Sequence, residues 1–322
     1  MDSNVSNNTF FYKFIKLQLS RKNWAIKDLL KQDLLRTIDL YIQKENIHID
    51  FSVIADDLDH KILLSRSSSE KWYFTDSFSQ TDSKLSLTDF VYRCAIAFPL
   101  ASYCQLSPAY IARKLVQNMS SLDLSLTDEG NLEFAVVAHN SGYLDFYLSE
   151  LSLAVWLERS LEKLATRPNF LIYAPISLKP ATNSHNLIPL QYVHHRCCSL
   201  LRLGDREGLI KLQDSDFEYL IWHINRPQAI NWLDGQQRLW LSDPAERELL
   251  WQLLAVVEAS VTQSSNWYQL ALNLSEAMLV FDGECRFLGE IKQCYPQKAI
   301  ARLGVIALVQ YWLQKLLIII DN

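Results

Sequence analysis

A proline-rich stretch near the middle of the chain sets the strongest limit on its architecture. Residues 166–189, TRPNFLIYAPISLKPATNSHNLIP, hold four of the nine prolines. Proline fixes φ, lacks an amide donor and interrupts helices and inner strands. We therefore predict a linker over residues 166–187, with one domain at 1–165 and another at 188–322, which 322 residues can accommodate.

The composition favours a mostly helical protein. Hydrophobic residues make up 49% of the chain and charged residues 21%, as in ordinary globular proteins. Glycine is scarce, with 8 residues in all. This scarcity argues against nucleotide-binding folds, because their phosphate loops need several glycines.

The first domain is predicted to be α+β. Residues 10–46 show helical periodicity, and the alternation in residues 47–78 predicts short strands. The stretch LTDFVYRCAIAFPLASYCQLSPAYIARKLVQNM predicts two helices, the second with Ser107 as N-cap and Pro108 at its first position. LEFAVVAH and GYLDFYLS predict an antiparallel strand pair joined by NSG.

The second domain is predicted to be an all-α bundle. The segment DPAERELLWQLLAVVEASV begins with a capping box, in which Asp243 is the N-cap, Pro244 the first helical residue and Glu246 the return partner. Its apolar positions form one stripe, at residues 249, 250, 253, 254 and 257. Two longer helical segments follow it, up to the C-terminal run LGVIALVQYWLQKLLIII.

Cysteine usage and the N-terminal sequence indicate a cytoplasmic protein. Six cysteines in this length do not make a disulfide framework, and the start MDSNVSNNTFFYKF lacks the layout of a signal peptide. Gln310, Gln314 and Lys315 interrupt the apolar C-terminal run, so we expect a buried helix rather than a membrane span.

The charge pattern does not indicate binding of nucleic acid, and the acidic balance of both halves favours a protein partner. The net charge is −5, and the one basic cluster, seven Lys/Arg against two Asp in residues 10–36, does not form a basic stripe. The sequence also lacks the glycine-rich phosphate loops, the G-x-S-x-G elbow and the H-E-x-x-H zinc motif. We therefore expect no DNA partner, no cofactor and no catalysis.

The stretch QYVHHRCCSLLR raises the question of a metal or redox site. On a helix, Cys198 follows His194 by four residues and His195 by three, so two zinc ligands could converge. Structural zinc takes four ligands, usually from paired short motifs, and the other cysteines and histidines stand alone in the sequence. We therefore expect a packed helix without metal.

The same stretch resembles the helix of class I arginyl-tRNA synthetases at the entry to their anticodon-binding domain. That family has a Tyr-Ala-His-Ala-Arg pattern followed by a helix that ends in Arg. The matching residues here are Tyr192, His194, Arg196, Ser199 and Arg202.

Two further segments extend the resemblance. LALNLSEAMLVFDGECRFLG and QKAIARLGVIALVQYWLQKLL are similar to the DALR anticodon-binding domain, on Phe281, Cys285, Arg286, Ala301, Arg302, Leu303 and Leu316. LSPAYIARKLVQNM and HNSGYLDFYLS resemble the family's N-terminal additional domain, which approaches the outer corner of tRNA. The resemblance covers residues 85–155 and 188–317.

The chain departs from that family where catalysis would lie. Only 32 residues, 156–187, separate the two similar regions, and a doubly wound catalytic domain needs several units of about 30 residues each. The His-x-Gly-His-like and Lys-Met-Ser-Lys-like motifs are absent. The resemblance therefore implies a synthetase paralogue without aminoacylation, a pseudoenzyme.

Two functions from different classes remain open. In the first, the chain binds tRNA or a related structured RNA, with contacts from Asn140, Tyr143, Asp145, Tyr192, Arg196, Arg202 and Arg206. Trp232 and Trp240 are candidates for stacking on bases, although core packing is the favoured role for each. In the second, it is a protein-binding scaffold that no longer binds RNA, with the apolar C-terminal helix as its docking face. A continuous basic path from Arg113 and Lys114 to the helix arginines would favour RNA.

Overall fold

The structure is a computed structural model that describes eight stretches of the chain. Contacts between Cα atoms divide the chain into two compact units, Met1–Leu153 and Ala154–Asn322. The described residues are 11–18, 24–47, 51–67, 87–119, 131–166, 186–213, 223–262 and 266–321.

The first unit contains a five-stranded antiparallel sheet in the order β1-β4-β5-β3-β2. Its strands are β1 (Phe11–Gln18), β2 (Leu64–Ser67), β3 (Leu87–Cys94), β4 (Asn131–Ala138) and β5 (Leu144–Ser149). The predicted pair LEFAVVAH and GYLDFYLS is confirmed as β4 and β5, which pair antiparallel.

The helices of the first unit bury one face of this sheet. They are α1 (Ile26–Lys44), α2 (Phe51–Lys61), α3 (Ala97–Cys104) and α4 (Pro108–Asn118). Alternation places Phe90, Tyr92, Phe134 and Phe146 on one face, where they are fully buried. The opposite face holds a second cluster of Val91, Ala135, Val137 and Tyr147.

Several helix and strand predictions for the first unit are wrong. Residues 11–18 form a strand, because Ile15 and Leu17 alternate with more exposed neighbours; the helical pattern begins only at Ile26. Residues 87–94 also form a strand instead of a helix. Conversely, residues 51–61 form α2, which buries Ile54 and Leu58 four residues apart. The predicted strand KWYFTDSF lies outside the described residues.

The division between the units lies earlier than the boundary predicted at residue 165. Helix α5 (Glu150–Thr166) begins in the first unit and belongs to the second from Ala154 onward. Glu158 explains this assignment, because its carboxylate accepts hydrogen bonds from Trp232 Nε1 at 2.7 Å and the amide of Ile230 at 3.2 Å. The predicted linker falls mostly on residues 167–185, outside the described part of the chain.

The second unit is built mainly of helices around one long apolar helix. Its elements are α6 (Ile188–Arg206), β6 (Lys211–Leu212), β7 (Ile224–Arg226), α7 (Pro244–Thr262), α8 (Trp267–Glu284), α9 (Glu290–Cys294) and α10 (Pro296–Asp321). The protein is thus mostly α overall. The expectation of an all-α second domain is wrong for the described residues 207–213 and 223–243, because β6 and β7 pair there and Leu233 bridges to Leu239.

Helix α10 is the core of the second unit. Among the described helices it alone has the length and composition to cross a membrane, and 67% of its most apolar window is buried. A helix that is apolar all round is stable when neighbours cover every side. The expected buried C-terminal helix is confirmed, so most of its apolar surface is not available as a docking face.

The predicted cap at Ser107 is confirmed, and so is the return bond of Glu246 in the capping box at Asp243. Ser107 Oγ accepts from the amide of Tyr110 at the start of α4, and Glu246 Oε2 accepts from the amide of Asp243 at 2.8 Å at the start of α7. The predicted apolar stripe of α7 is buried, at residues 249, 250, 253, 254 and 257.

Candidate nucleic-acid interface

A tight turn between β4 and β5 presents the candidates of the first unit. The amide of His139 donates to the carbonyl of Tyr143 at 2.9 Å, and the amide of Gly142 donates to the carbonyl of His139 at 2.9 Å. Gly142 has φ +99°, and an added Cβ would lie 2.6 Å from Cβ of Pro108. The turn therefore requires glycine both for its dihedral angle and for its close approach to α4.

Tyr143 projects from this turn as part of an aromatic pair. Its ring lies 5.1 Å from that of Phe98, and both side chains are 37% exposed. The guanidinium carbon of Arg93 lies 5.6 Å from the Tyr143 ring centroid, a cation–π arrangement. Tyr143 is therefore held in place and still offers surface for stacking.

Asn140 and Arg113 form a second polar contact at the turn. The Nη2 of Arg113 donates to Oδ1 of Asn140 at 2.6 Å, in an exposed position. Lys114, the next residue on α4, pairs with Glu45 at 2.7 Å. Arg113 thus places a positive charge beside Asn140, while the charge of Lys114 is neutralised locally.

Asp145 does not face outward, which corrects the expectation that it contacts RNA. It is 1% exposed, and its carboxylate accepts from Nε and Nη2 of Arg93, both at 2.7 Å. It also lies 2.8 Å from Nε2 of His139. Burial raises the pKa of Asp145, but the bonds from Arg93 and His139 outweigh it and lower that pKa below its usual range.

Helix α6 brings the candidates of the second unit onto one face. Its buried side chains recur at helical spacing and include His194, Cys197 and Cys198. The opposite side is therefore exposed along the whole helix. The exposed residues from Tyr192 onward include Tyr192, His195, Arg196, Ser199, Arg202 and Arg206, which we call the α6 face.

An ion pair joins the α6 face to α8. Arg196 donates from Nε to Oδ2 of Asp282 at 2.7 Å and from Nη2 to Oδ1 at 3.2 Å. The Arg196 side chain is 44% exposed. Its position is therefore fixed, although a phosphate would have to share it with a carboxylate.

A groove of about 560 Å³ begins beside this ion pair. Its floor is apolar and its rim carries charges of both signs. The lining includes Leu200, Leu203, Phe281, Phe287, Leu288, Ile291 and Ile306, with Arg196, Asp282, Arg286 and Glu290 at the polar positions. Such a surface suits an apolar partner better than a phosphate.

The two candidate tryptophans differ in burial. Trp232 is 3% exposed, donates to Glu158, and would lie 2.7 Å from a Cβ added at Gly304 of α10. It is a core residue, which excludes it as a base-stacking platform. Trp240 is half-buried.

The His-His-Arg-Cys-Cys stretch divides between the core and the surface. His194 is buried, with Nε2 3.0 Å from Nε2 of Gln310 and 4.0 Å from Sγ of Cys198. His195 faces outward on α6. Burial raises the pKa of Cys197 well above its usual range, which suppresses thiolate chemistry there.

Within the described residues, one set of three potential metal ligands converges, namely Asp243, Glu246 and Cys285. Arg302 occupies the same position, donating from Nε to Glu246 at 2.6 Å and from Nη2 to Asp243 at 2.7 Å. Lys298 adds a second cation 2.9 Å from Asp243. The positive charge that these carboxylates need is thus supplied by side chains of α10.

Sequence reasoning missed three residues that shape these surfaces. Arg93 and Phe98 lie beside Tyr143, and Asp282 binds Arg196. Arg93 was not predicted as a site residue because its segment was predicted to be a helix. Residues 87–94 form a strand instead, and its pairing with β5 places Arg93 opposite Asp145. No local sequence signal pairs Asp282 with Arg196.

No protein-family model, curated protein or solved structure matches this chain.

Proposed function

We propose that the chain is a non-catalytic relative of arginyl-tRNA synthetases that binds tRNA or a related structured RNA. The observation that carries this proposal is the α6 face, where Tyr192 and three arginines are exposed on one side of a single helix. Tyr192, Arg196 and Arg202 are also among the residues on which the resemblance to the anticodon-binding helix depends.

The spacing of the arginines suits a phosphate backbone. Arg196 and Arg206 are ten residues apart, or about 15 Å along a helix at about 1.5 Å per residue. Charges on one strand of a duplex recur about every 3.4 Å along the axis, so the α6 face reaches several phosphates. Tyr192 is 62% exposed and can stack on an unpaired base.

The turn between β4 and β5 gives the proposal a second surface. Asn140 and Tyr143 supply an amide and an exposed ring, and Arg113 of α4 adds a cation that is bonded to the amide. The contacts described for the two surfaces do not pair a nucleophile with a base, so we assign the chain binding without chemistry.

The test is the salt dependence of tRNA affinity for Arg202→Ala combined with Arg206→Ala. Each lost phosphate contact lowers the slope of log affinity against log salt by about one unit. The matched control is Arg159→Ala combined with Arg238→Ala, since both are exposed arginines in local ion pairs. The control should keep the wild-type slope.

Two results would contradict the proposal. Wild-type protein that binds no tRNA at low salt removes RNA binding altogether. Equal slopes for wild type, the α6 double variant and the control remove the α6 face as the contact.

A protein-binding scaffold is the second candidate, and the groove between α6, α8 and α10 is the observation that favours it. Its floor of leucine, isoleucine and phenylalanine side chains offers apolar area that RNA does not use. Under this function, wild-type protein binds no tRNA, and Leu203→Asp would abolish binding of the protein partner.

A further inference from the structure

The first unit contains a cation that the proposed RNA surface has not yet used, Arg93 of β3. Strand pairing places Arg93 directly opposite Asp145 of β5. The bidentate bond uses Nε and Nη2, and among the described residues Nη1 has no hydrogen-bond partner. The side chain is 38% exposed, so one edge of the guanidinium remains accessible.

The Arg93 guanidinium is exposed to solvent, whereas the carboxylate of its partner Asp145 is buried. The Asp145 side chain is 1% exposed, whereas Arg93 lies against the exposed ring of Tyr143. A ligand at the surface therefore meets the cation and the ring, while the carboxylate is screened beneath them. Arg113, on the Asn140 side of the turn, adds a second exposed cation.

Asp145 also ties the guanidinium to the turn itself. Its Oδ2 accepts from Arg93 and lies 2.8 Å from the ring of His139, the first residue of the turn. The backbone of His139 in turn bonds to Tyr143. One carboxylate thus fixes both the cation and the loop that carries the aromatic ring.

We propose that Arg93 is an RNA-contact residue of the first unit, and that Asp145 and His139 are positioning residues that hold its guanidinium beside Tyr143. The ligand is a nucleotide of the bound RNA whose base is unpaired, because the planar guanidinium and ring can stack only on an unstacked base. Nη1 then reaches its phosphate. This inference rests on the proposed RNA binding.

The decisive variant is Asp145→Asn, because two roles predict opposite signs. If Asp145 acted only through its charge, its removal would tighten RNA binding, since one negative charge is lost. As a positioning residue, its loss frees the guanidinium, and we expect tRNA affinity to fall about tenfold, equivalent to about 1.4 kcal/mol.

Arg93→Lys provides a second test that does not depend on the buried carboxylate. It keeps the positive charge but loses the planar fork, so affinity should fall about tenfold at an unchanged salt slope. Arg93→Ala should also lower the slope by about one unit. The matched control, Arg159→Lys, changes an exposed arginine in a surface pair and should bind as wild type does.

These measurements distinguish the inference from the function on which it rests. Circular dichroism and the thermal midpoint establish that each variant is folded; if Asp145→Asn is not, Arg93→Lys and His139→Gln decide. Binding that falls with the α6 double variant but is unchanged in Arg93→Lys and Arg93→Ala overturns the inference alone. Wild-type protein that binds no RNA overturns both.

Discussion

The turn at His139–Tyr143 and the α6 face present similar groups by different constructions. The α6 face takes its arginines and tyrosine from one continuous segment, and helical periodicity alone exposes them. The turn depends on residues far away in the sequence, namely Arg93, Phe98 and Pro108. The α6 face therefore arises from local helical structure, whereas the turn arises from tertiary contacts.

This difference determines how each surface responds to damage. Side chains on the α6 face are exposed, so substitutions there should alter binding with little effect on stability. At the turn, the Asp145 carboxylate that positions Arg93 beside Tyr143 is buried, so stability and binding are coupled there. The α6 face in turn depends on the buried side chains of α6, which pack against the core of the second unit.

The largest loss of stability is expected from Arg302→Ala, which removes a buried ion pair in the core of the second unit. The change removes the guanidinium 2.6 Å from the buried Glu246 carboxylate and leaves Lys298, at 3.8 Å, as the nearest cation. Breaking a buried pair in this way costs about 3–5 kcal/mol. Urea unfolding should show this loss, and amide exchange should show reduced protection in α6, α7 and α10. The control is Lys292→Ala, which removes a surface pair with Glu207 and should cost far less stability, because exposed pairs are screened by solvent. Equal costs for the two variants would mean that the network is not a stabilising element.

A smaller loss of stability is expected from Gly142→Ala, which strains the turn between β4 and β5. The residue needs a positive φ, and its new Cβ would meet Pro108 at 2.6 Å, so we expect a loss of about 1–3 kcal/mol. Gly283 near the end of α8 is the matched control, because a Cβ added there would meet nothing within 4 Å and alanine favours helix. Thermal unfolding of both variants tests the contrast. Comparable stability for the two would show that the turn tolerates a different backbone.

The smallest changes in the free energy of unfolding are expected from pH. Asp145 in the first unit and Glu158 in the second should contribute with opposite signs. Asp145 has a lowered pKa, so its stabilisation is present above its ordinary value of 3.8 and is lost as pH falls through the lower folded value. Burial raises the pKa of Glu158 above 4.5, so its contribution is full below 4.5 and is lost as pH rises through the folded value. Asp145→Asn should therefore destabilise the protein near neutral pH and Glu158→Gln should stabilise it, as measured by urea unfolding at acidic and neutral pH. A common sign for both would contradict this assignment.

Local signals in the sequence predicted part of the fold. The caps at Ser107 and Asp243 and the apolar stripe of α7 were predictable, because each depends on neighbours in the chain. Residues 87–94 were misassigned because polar Thr88 lies on the buried face and apolar Val91 on the other, so the sequence shows little alternation. Tertiary pairing with β5 decided its conformation.

The candidate site follows the same division. Tyr192 and the arginines of α6 were found in the sequence and lie together on one face. Asp145 was found as well, but its burial against Arg93 and His139 depends on strand pairing that the sequence did not reveal. For Trp232, a candidate for stacking on bases, core packing was the favoured role, and its burial confirms it.

Helix α10 is apolar all round, yet it carries two buried polar side chains at distant points along its axis. Arg302 reaches Glu246 near its start, and Gln310 donates to His194 of α6 two turns later. Apolar contacts alone would let such a helix rotate or slide by a turn at modest cost, whereas each polar contact is satisfied in a single setting. The two contacts therefore fix the rotation and register of α10 against α6 and α7. Substitutions on the exposed side of α6 leave this alignment unchanged, because neither contact involves that side.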